Sequence, residues 1–414
     1  MGEANALNVF LLRPKGERVL VGTIRLLPGG RDATEFRLAR AYVDDVERPV
    51  LGQVFEDDLG AVHKARVRLP AFFSNLLPEG ILRELLARRA GVSPTREFFL
   101  LAQLGRDLPG AVVVEPDGPL TAEGELADEL PAPSPTLDHP LRFSVAGLQL
   151  KFSVQERAGR WVLPVSGEGG HWLLKVPHPD FKGVPLNEFS MMEWARRVAI
   201  DVPAVKLVPL ASVEGLPAEL VFTEPQALLV KRFDRDGERR VHVEDFLQVL
   251  NRHPDERAKY RATSYDTLGR ILLSLANGGT ADVRELVRRL VFNAAIGNGD
   301  AHLKNWSLLY ADPRWPRLAP AYDLVSTVHY LPSEPGAALN VARTKRYEDL
   351  TLGVFTAFAR HIGVEERLMT EWVEEAARAI RASWPDVRAA LPIDAALAAT
   401  IDRQLKRVPV LGAV

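Results

Sequence analysis

The chain has 414 residues, of which 47% are hydrophobic and 26% charged; these are ordinary values for a globular protein, and the length predicts two or three subdomains. The 52 basic and 54 acidic residues give a net charge of -2, so no overall field favours binding to nucleic acid or to a membrane. The lack of cysteine excludes disulfides, thiolate metal sites and a cysteine nucleophile, and with no signal sequence or long apolar run it predicts a cytoplasmic protein.

The N-terminal region predicts a small α/β subdomain over residues 1–114. Two apolar runs flank Pro14-Lys15-Gly16, an arrangement typical of a β-hairpin. A helix is expected over 77–90, because Pro78 lies near its start and Gly91 follows its end.

Composition predicts where the remaining segments divide. Residues 115–140 contain six prolines and no Lys or Arg, which predicts a solvated connector. Residues 141–248 have a strand-rich pattern with one clear helix, and residues 249–414 are helix-rich nearly to the end. The sequence therefore predicts an α+β fold.

The strand-rich segment contains a lysine and an acid that suit nucleotide binding. Lys175 is embedded in the short apolar run 171–177, where a lysine either reaches solvent from an edge strand or points at a phosphate. Glu188 begins a predicted helix and can face that lysine, as the Lys–Glu pair of kinases requires. The apolar strand over 228–234 is placed where a kinase hinge would meet adenine, although Phe233 suits a core equally well.

The helix-rich segment contains an amphipathic helix. Apolar residues recur at spacings of three and four over 280–295, and Thr280 is the candidate N-cap. Gly297 and Gly299 are expected to end this helix and to open a loop.

The loop after this helix has the spacing of a phosphoryl-transfer site. Asp300 and Asn305 stand five positions apart, so the acid can accept a proton from an acceptor hydroxyl while the amide oxygen ligates Mg²⁺. A strand is predicted over 306–310, and a second apolar run then precedes Asp323. Each residue taken singly could merely cap a turn, but the order matches the catalytic loop, strand pair and metal-binding Asp of kinases.

Several segments together resemble the HipA-type serine/threonine kinase toxins. They are 143–153, the Lys175 strand, 230–234, 300–305 and 322–326, and two further segments, 75–80 and 104–111, resemble that family's amino-terminal subdomain. The resemblance covers nearly the whole chain. It implies a two-lobed protein-kinase-like fold with an added N-terminal subdomain, and the use of ATP and Mg²⁺.

The resemblance also implies a set of site residues. Asp300 would be the catalytic base, Lys304 would add positive charge beside the transferred group, and Asn305 and Asp323 would hold Mg²⁺. Ser144 falls on the serine that family members autophosphorylate. The nucleotide-binding residues would be Ala146, Gly147, Leu148, Gln149, Leu150, Lys151, Lys175, Lys231, Arg232, Phe233, His302, Leu303, Lys304, Asn305, Tyr322 and Asp323.

The expected partners follow from the same resemblance. It implies a helix-turn-helix antitoxin protein, contact with DNA only through that antitoxin, and an aminoacyl-tRNA synthetase as protein substrate. No membrane partner is expected. Leu150 and Lys231 depart from the family pattern, because acids are usual at these two positions.

The sequence leaves two other functions open. The Asp-x-His-x-x-Asn pattern that begins at Asp300 also resembles the catalytic loop of aminoglycoside and choline kinases, which are small-molecule phosphotransferases. A pseudokinase acting as a corepressor scaffold is the second alternative. Metal hydrolases of the H-E-x-x-H kind and serine hydrolases with G-x-S-x-G are not indicated, because neither motif occurs.

Overall fold

A computed structural model describes residues 5–13, 16–28, 32–120, 150–163, 169–217, 220–261, 263–333 and 336–412. They form two compact units. The first takes its described residues from Met1–Leu148, Val165–Gly169 and Asp234–Pro254, and the second from Gln149–Pro164, Gly170–Phe233 and Asp255–Val414. The finer division expected from composition, with boundaries at 114, 140 and 248, remains a prediction.

Both units contain strands and helices. The strands are β1 (Ala6–Leu12), β2 (Arg18–Leu26), β3 (Thr34–Leu38), β4 (His63–Ala65), β5 (Val112–Pro116), β6 (Lys151–Arg157), β7 (Arg160–Val162), β8 (Trp172–Lys175), β9 (Val205–Pro209), β10 (Val213–Glu214), β11 (Gln226–Lys231), β12 (Arg235–Asp236), β13 (Arg239–Arg240), β14 (His242–Asp245), β15 (Ser307–Tyr310), β16 (Arg317–Leu318), β17 (Gly336–Val341) and β18 (Thr344–Arg346). The helices are α1 (Arg40–Asp44), α2 (Gln53–Glu56), α3 (Ala71–Ser74), α4 (Gly80–Ala90), α5 (Glu97–Leu104), α6 (Val184–Arg197), α7 (Phe246–Val249), α8 (Glu256–Arg261), α9 (Tyr265–Leu275), α10 (Thr280–Ile296), α11 (Leu352–Ile362), α12 (Glu366–Ala390), α13 (Ala395–Arg407) and α14 (Pro409–Gly412).

The first unit is built on an antiparallel sheet with the strand order β4-β3-β2-β1-β5. Leu7, Val9 and Leu11 of β1 are buried and the residues between them are only partly so, because successive side chains of a strand point to opposite faces. β1 and β2 pair in antiparallel fashion up to Leu12 opposite Arg18. The hairpin predicted from the two apolar runs is therefore confirmed.

Helix α4 is the helix predicted over 77–90, but it begins later. Glu79 is its N-cap and has an extended backbone, so Pro78 lies before the helix instead of in its first turn. Gly91 ends it in the left-handed conformation with φ 66°, and its N–H is bonded to carbonyls of the last turn. Glycine is favoured there because it lacks a Cβ.

The second unit contains a sheet with the order β10-β7-β6-β8-β11-β9. β8 lies between β6 and β11, and Lys151 of β6 is directly opposite Lys175 of β8. Helix α6 packs against β9 and β11. This topology places Lys151 and Lys175 at the same end of two neighbouring strands, beside the buried acid Glu188 of α6.

The helix-rich part of the second unit surrounds α10, which packs against α9, α12 and α13. The predicted N-cap was wrong by one residue, since the cap is Gly279 and Thr280 is the first helical residue. Gly279 has φ 47°, a backbone conformation that favours glycine over threonine. Gly297 ends α10 with φ 66°, as expected.

Candidate active site

The loop that follows α10 is held by hydrogen bonds to polar side chains. The Asn298 side-chain oxygen accepts a hydrogen bond of 3.1 Å from the Asp300 N–H, and the Gly299 N–H donates to the Thr327 hydroxyl at 2.8 Å. The Asn298 amide nitrogen donates to Asn293 at 2.8 Å. Asp300 therefore projects from a backbone that is anchored on both sides, as preorganised catalysis requires.

The second half of the loop is anchored equally well. Asn305 donates from Nδ2 to the Asp300 carbonyl at 2.8 Å. The Ala301 carbonyl accepts from the Tyr265 hydroxyl at 2.8 Å and from the Trp306 indole at 3.0 Å. Because Asn305 uses its nitrogen for the loop, its remaining polar atom is the oxygen, which is the atom type that Mg²⁺ prefers.

The Asp300 carboxylate is buried, with 4% of the residue exposed. The Tyr260 hydroxyl of α8 donates a hydrogen bond to Asp300 Oδ1, and His302 Nε2 lies 3.9 Å from the same oxygen. His302 and Leu303 are themselves buried beside it. Tyr260 was not predicted as a site residue, because it lies 40 positions before Asp300 in a segment without a recognisable motif.

A charged cluster lies at the end of strands β6 and β8 in the second unit. The buried Lys175 ammonium is paired with both Glu188 and Asp323, and Lys151 Nζ lies 2.8 Å from the second oxygen of Asp323. Burial by itself would lower the pKa of Lys175, but the two carboxylates outweigh it and raise that pKa. Lys175 therefore stays charged, as a phosphate-binding lysine must.

Asp323 is the carboxylate shared by the two lysines. Burial would raise its pKa, but the charges of Lys151 and Lys175 more than offset this and hold the pKa of Asp323 well below its ordinary value. For Glu188 burial dominates, and its pKa is raised. The charged form is thus favoured for Asp323 and disfavoured for Glu188.

The backbone at Asp323 is strained. Its φ is 54°, in the left-handed region that favours glycine and costs other residues free energy. The Asn298 side chain donates to the Asp323 carbonyl at 3.3 Å and so helps to hold this conformation. Strain of this kind is typical of functional sites.

The strand end predicted as a hinge lies close to the same site. The N–H groups of Lys231 and Arg232 are bonded to the carbonyls of Ala204 and His171 at 2.8 and 2.9 Å. The Lys231 side chain is exposed, whereas Arg232 is buried. An adenine ring at this position would therefore have to bond to other backbone groups of the strand end or pack against the Phe233 ring.

Phe233 and Tyr322 face each other with ring centroids 5.7 Å apart. The Tyr322 hydroxyl donates to the Lys304 carbonyl at 2.8 Å and lies 2.6 Å from the Ser307 hydroxyl. These contacts tie the hinge, the catalytic loop and the Asp323 segment together. Lys304 is only half-buried.

Most of the predicted site residues are placed near one another by the structure, and some lie outside the described residues. Ser144, Ala146, Gly147, Leu148 and Gln149 belong to this second group. Leu150 and Lys151 are described, and the Leu150 carbonyl accepts a bond of 3.3 Å from the Val176 N–H.

The residues expected to hold Mg²⁺ fit that ion chemically. Asn305 and Asp323 offer amide and carboxylate oxygens, which are hard donors. In the described part of the chain, no three acidic or histidine side chains gather as a metal site. A kinase-type ion takes few protein ligands and completes its shell with phosphates and water.

Comparison with known proteins agrees with this fold. The model of the HipA-like C-terminal domain matches residues 143–384, and that of the HipA N-terminal domain matches residues 16–115. The described elements define an α+β protein with a two-lobed, kinase-like arrangement, which confirms the predicted fold class. The chain belongs to the HipA family.

Two relatives and one solved structure show how far the similarity extends. The protein named Putative kinase Y4dM from Sinorhizobium fredii is 45% identical over 92% of this chain and 93% of its own length. The serine/threonine-protein kinase toxin HipA of Shewanella oneidensis is 26% identical over 87% of this chain and 86% of that protein. A solved complex of Shewanella oneidensis HipA with HipB and operator DNA has a chain that matches with a TM-score of 0.75 at 22% identity, covering 98% of this chain and 96% of that one, which establishes the fold.

Among the described residues, none forms a helix that is both long and apolar enough to cross a membrane.

Proposed function

We propose that this chain is a serine/threonine protein kinase that uses ATP and Mg²⁺. The observation that carries the proposal is the buried Lys175, paired with Glu188 and with Asp323. Kinases need this arrangement because the lysine contacts the nucleotide phosphates, the glutamate orients it, and the aspartate holds the metal. The names of the relatives, a serine/threonine kinase toxin among them, support the same reading.

Each residue near Asp300 has a chemical task in this proposal. Asp300 accepts the proton of the acceptor hydroxyl, whose oxygen then forms its bond to the γ-phosphorus as ADP leaves. Lys304 offsets the charge near the transferred group. Bound Mg²⁺, held by Asn305 and Asp323, would neutralise charge on the phosphates.

The remaining site residues position the nucleotide. Lys151 and Lys175 attract the phosphates, together with the segment from Ala146 to Leu150. The strand end from Lys231 to Phe233 and the ring of Tyr322 would enclose the adenine. His302 and Leu303 would complete the pocket wall beside the catalytic loop.

Transfer of the γ-phosphoryl group tests the proposal directly. The purified chain is incubated with γ-labelled ATP and Mg²⁺, with a matched sample in EDTA, and label is sought on protein serine and threonine. Label on added aminoglycoside or choline instead would indicate the small-molecule phosphotransferase. Absence of nucleotide turnover would indicate the pseudokinase, although a scaffold has no chemical need for Lys175, Asp300, Asn305 and Asp323 together.

Ser144 is expected to be autophosphorylated, and the modified chain is expected to be inactive. The phosphate adds negative charge just before the loop that would cover the nucleotide phosphates, so repulsion would displace that loop. Mass spectrometry after incubation with ATP and Mg²⁺ provides the measurement. Ser153 is the matched control, because its hydroxyl is already bonded to the Gly170 N–H at 2.7 Å and to Arg232 at 3.2 Å. Phosphate only on Ser153, or on neither serine, would contradict this switch.

We further propose that the chain is the toxin of a toxin–antitoxin pair acting in the cytoplasm. A small helix-turn-helix antitoxin would supply the DNA contacts, because a chain with net charge -2 has little attraction for DNA by itself. An aminoacyl-tRNA synthetase is the proposed protein substrate, and its phosphorylation would stall translation.

Growth and DNA binding test this pairing. Expression without the antitoxin should arrest growth, and the arrest should disappear in an Asp300→Asn variant. The purified chain should bind operator DNA weakly and without sequence preference, whereas the complex should bind specifically. Tight, specific binding by the chain alone, or harmless expression of an active chain, would count against the toxin assignment.

A further inference from the structure

The Tyr260 hydroxyl is bonded to the proposed base, and none of the roles assigned above uses it. The tyrosine lies on the short helix α8, whose start is capped by Asp255: its carboxylate accepts from the Ala258 N–H at 2.8 Å, and its carbonyl accepts from the Lys259 N–H at 3.0 Å. The cap sets where the helix begins and therefore where Tyr260 points.

The Tyr260 ring also has a packing partner. It packs edge-on against the His302 ring, with centroids 5.0 Å apart and an interplanar angle of 85°. His302 is buried, so this contact gives the Tyr260 ring a fixed wall. The phenol therefore approaches Asp300 from one direction, and its bond is directed to Oδ1.

A carboxylate in a proton-transfer site has two oxygens and a freely rotating terminal bond. A hydrogen bond from a fixed donor to one oxygen stops that rotation and leaves the other oxygen in a defined place. Hydrogen bonds to the Asn298 and Asn305 side chains hold the Asp300 main chain, but they do not set the rotation of its carboxylate. Among the described contacts of that carboxylate, the Tyr260 hydroxyl is a donor that can do so.

We propose that Tyr260 is a positioning residue for phosphoryl transfer, which orients the Asp300 carboxylate so that Oδ2 receives the proton of the acceptor hydroxyl. This inference rests on the proposed kinase function. The Tyr260 hydroxyl keeps its own proton throughout. The acceptor proton moves to Oδ2, the acceptor oxygen bonds to the γ-phosphorus, and the bond to the leaving ADP oxygen breaks.

The test uses the full chain and four variants: Tyr260→Phe, Asp300→Asn, the double variant, and Tyr330→Phe. Tyr330 is the matched control, because it is a partly buried tyrosine of the same unit whose hydroxyl contacts Asn187 at 3.4 Å. Autophosphorylation is followed in single turnover over a range of ATP concentrations. ATP affinity is measured separately by calorimetry.

Tyr260→Phe should slow the rate at saturating ATP by about 10- to 100-fold, the range expected when a reacting group is misplaced. ATP affinity should stay within about twofold, because phenylalanine keeps the ring contact with His302. The double variant should be no slower than Asp300→Asn, since the tyrosine acts only through that carboxylate. Tyr330→Phe should behave as wild type.

Three outcomes would overturn the inference. Tyr260→Phe could be as active as wild type, or more active, which would mean that the tyrosine blocks the acceptor. The effect of Tyr260→Phe could appear only as weaker ATP binding. Alternatively, its rate loss could add fully to the rate loss of Asp300→Asn in the double variant. In all three the wild type still transfers phosphate, so the proposed function stands. A wild-type chain with no transfer would instead refute the proposed function itself.

Discussion

Replacing Asp300 by Asn is expected to reduce phosphoryl transfer by about 10²- to 10⁴-fold, the usual contribution of a general base. The amide keeps the size of the side chain and can still accept the Tyr260 hydrogen bond, but it cannot take up a proton. Nucleotide affinity should change little, because Asp300 positions the acceptor and the lysines bind the donor. Single-turnover transfer and calorimetric binding of ATP measure the two effects separately.

Asp312→Asn is the matched control for this change. Asp312 is exposed and its oxygen accepts from the Arg314 N–H at 2.8 Å, a bond that an asparagine oxygen retains. This variant should transfer phosphate at the wild-type rate. Wild-type activity in Asp300→Asn would refute the assignment of the base.

Replacing Lys175 by Gln is expected to lower the free energy of unfolding by about 3–5 kcal/mol, as for other buried ion pairs that lose one partner. The change leaves Glu188 and Asp323 buried with only Lys151 to offset them. The same variant should lose phosphoryl transfer, because its phosphate-binding cation is gone. Urea unfolding at neutral pH measures the change in the free energy of unfolding.

The stability loss should depend on pH in a defined direction. Without the Lys175 charge, the folded-state pKa values of Glu188 and Asp323 rise, so the folded variant binds more protons than the wild type does. Its stability deficit should therefore shrink as the pH falls from 7 towards 5 and should be largest at neutral pH. A deficit that grows on acidification would contradict the charge-cluster explanation.

Two further variants separate charge from packing. Lys182→Gln removes an exposed lysine of the same unit and should cost less than about 1 kcal/mol, as surface charges do. The double variant Lys175→Gln, Glu188→Gln should recover part of the lost stability, because one of the two stranded acids becomes neutral. If Lys175→Gln costs no more than Lys182→Gln, then the cluster does not stabilise the fold.

Local features of the chain were predictable because local physics produces them. The spacing of apolar residues in α10 and the conformational freedom of Gly297 are properties of a few consecutive residues. The five-residue separation of Asp300 and Asn305 likewise implies a shared loop, and the structure adds the bond of 2.8 Å that closes it. The error at Thr280 also has a local cause, since Gly279 and Thr280 are adjacent and either residue type can be an N-cap.

The contacts that make these residues a site depend on tertiary structure. Lys151 and Asp323 are 172 positions apart, and Tyr260 lies 40 positions from Asp300. No periodicity links such positions, because their proximity arises from the register of β6 with β8 and from the packing of helices around α10. The sequence alone determined the residue types and the local backbone that suit phosphoryl transfer. Only the tertiary structure decided which charges meet, since burial and long-range pairing set their electrostatics.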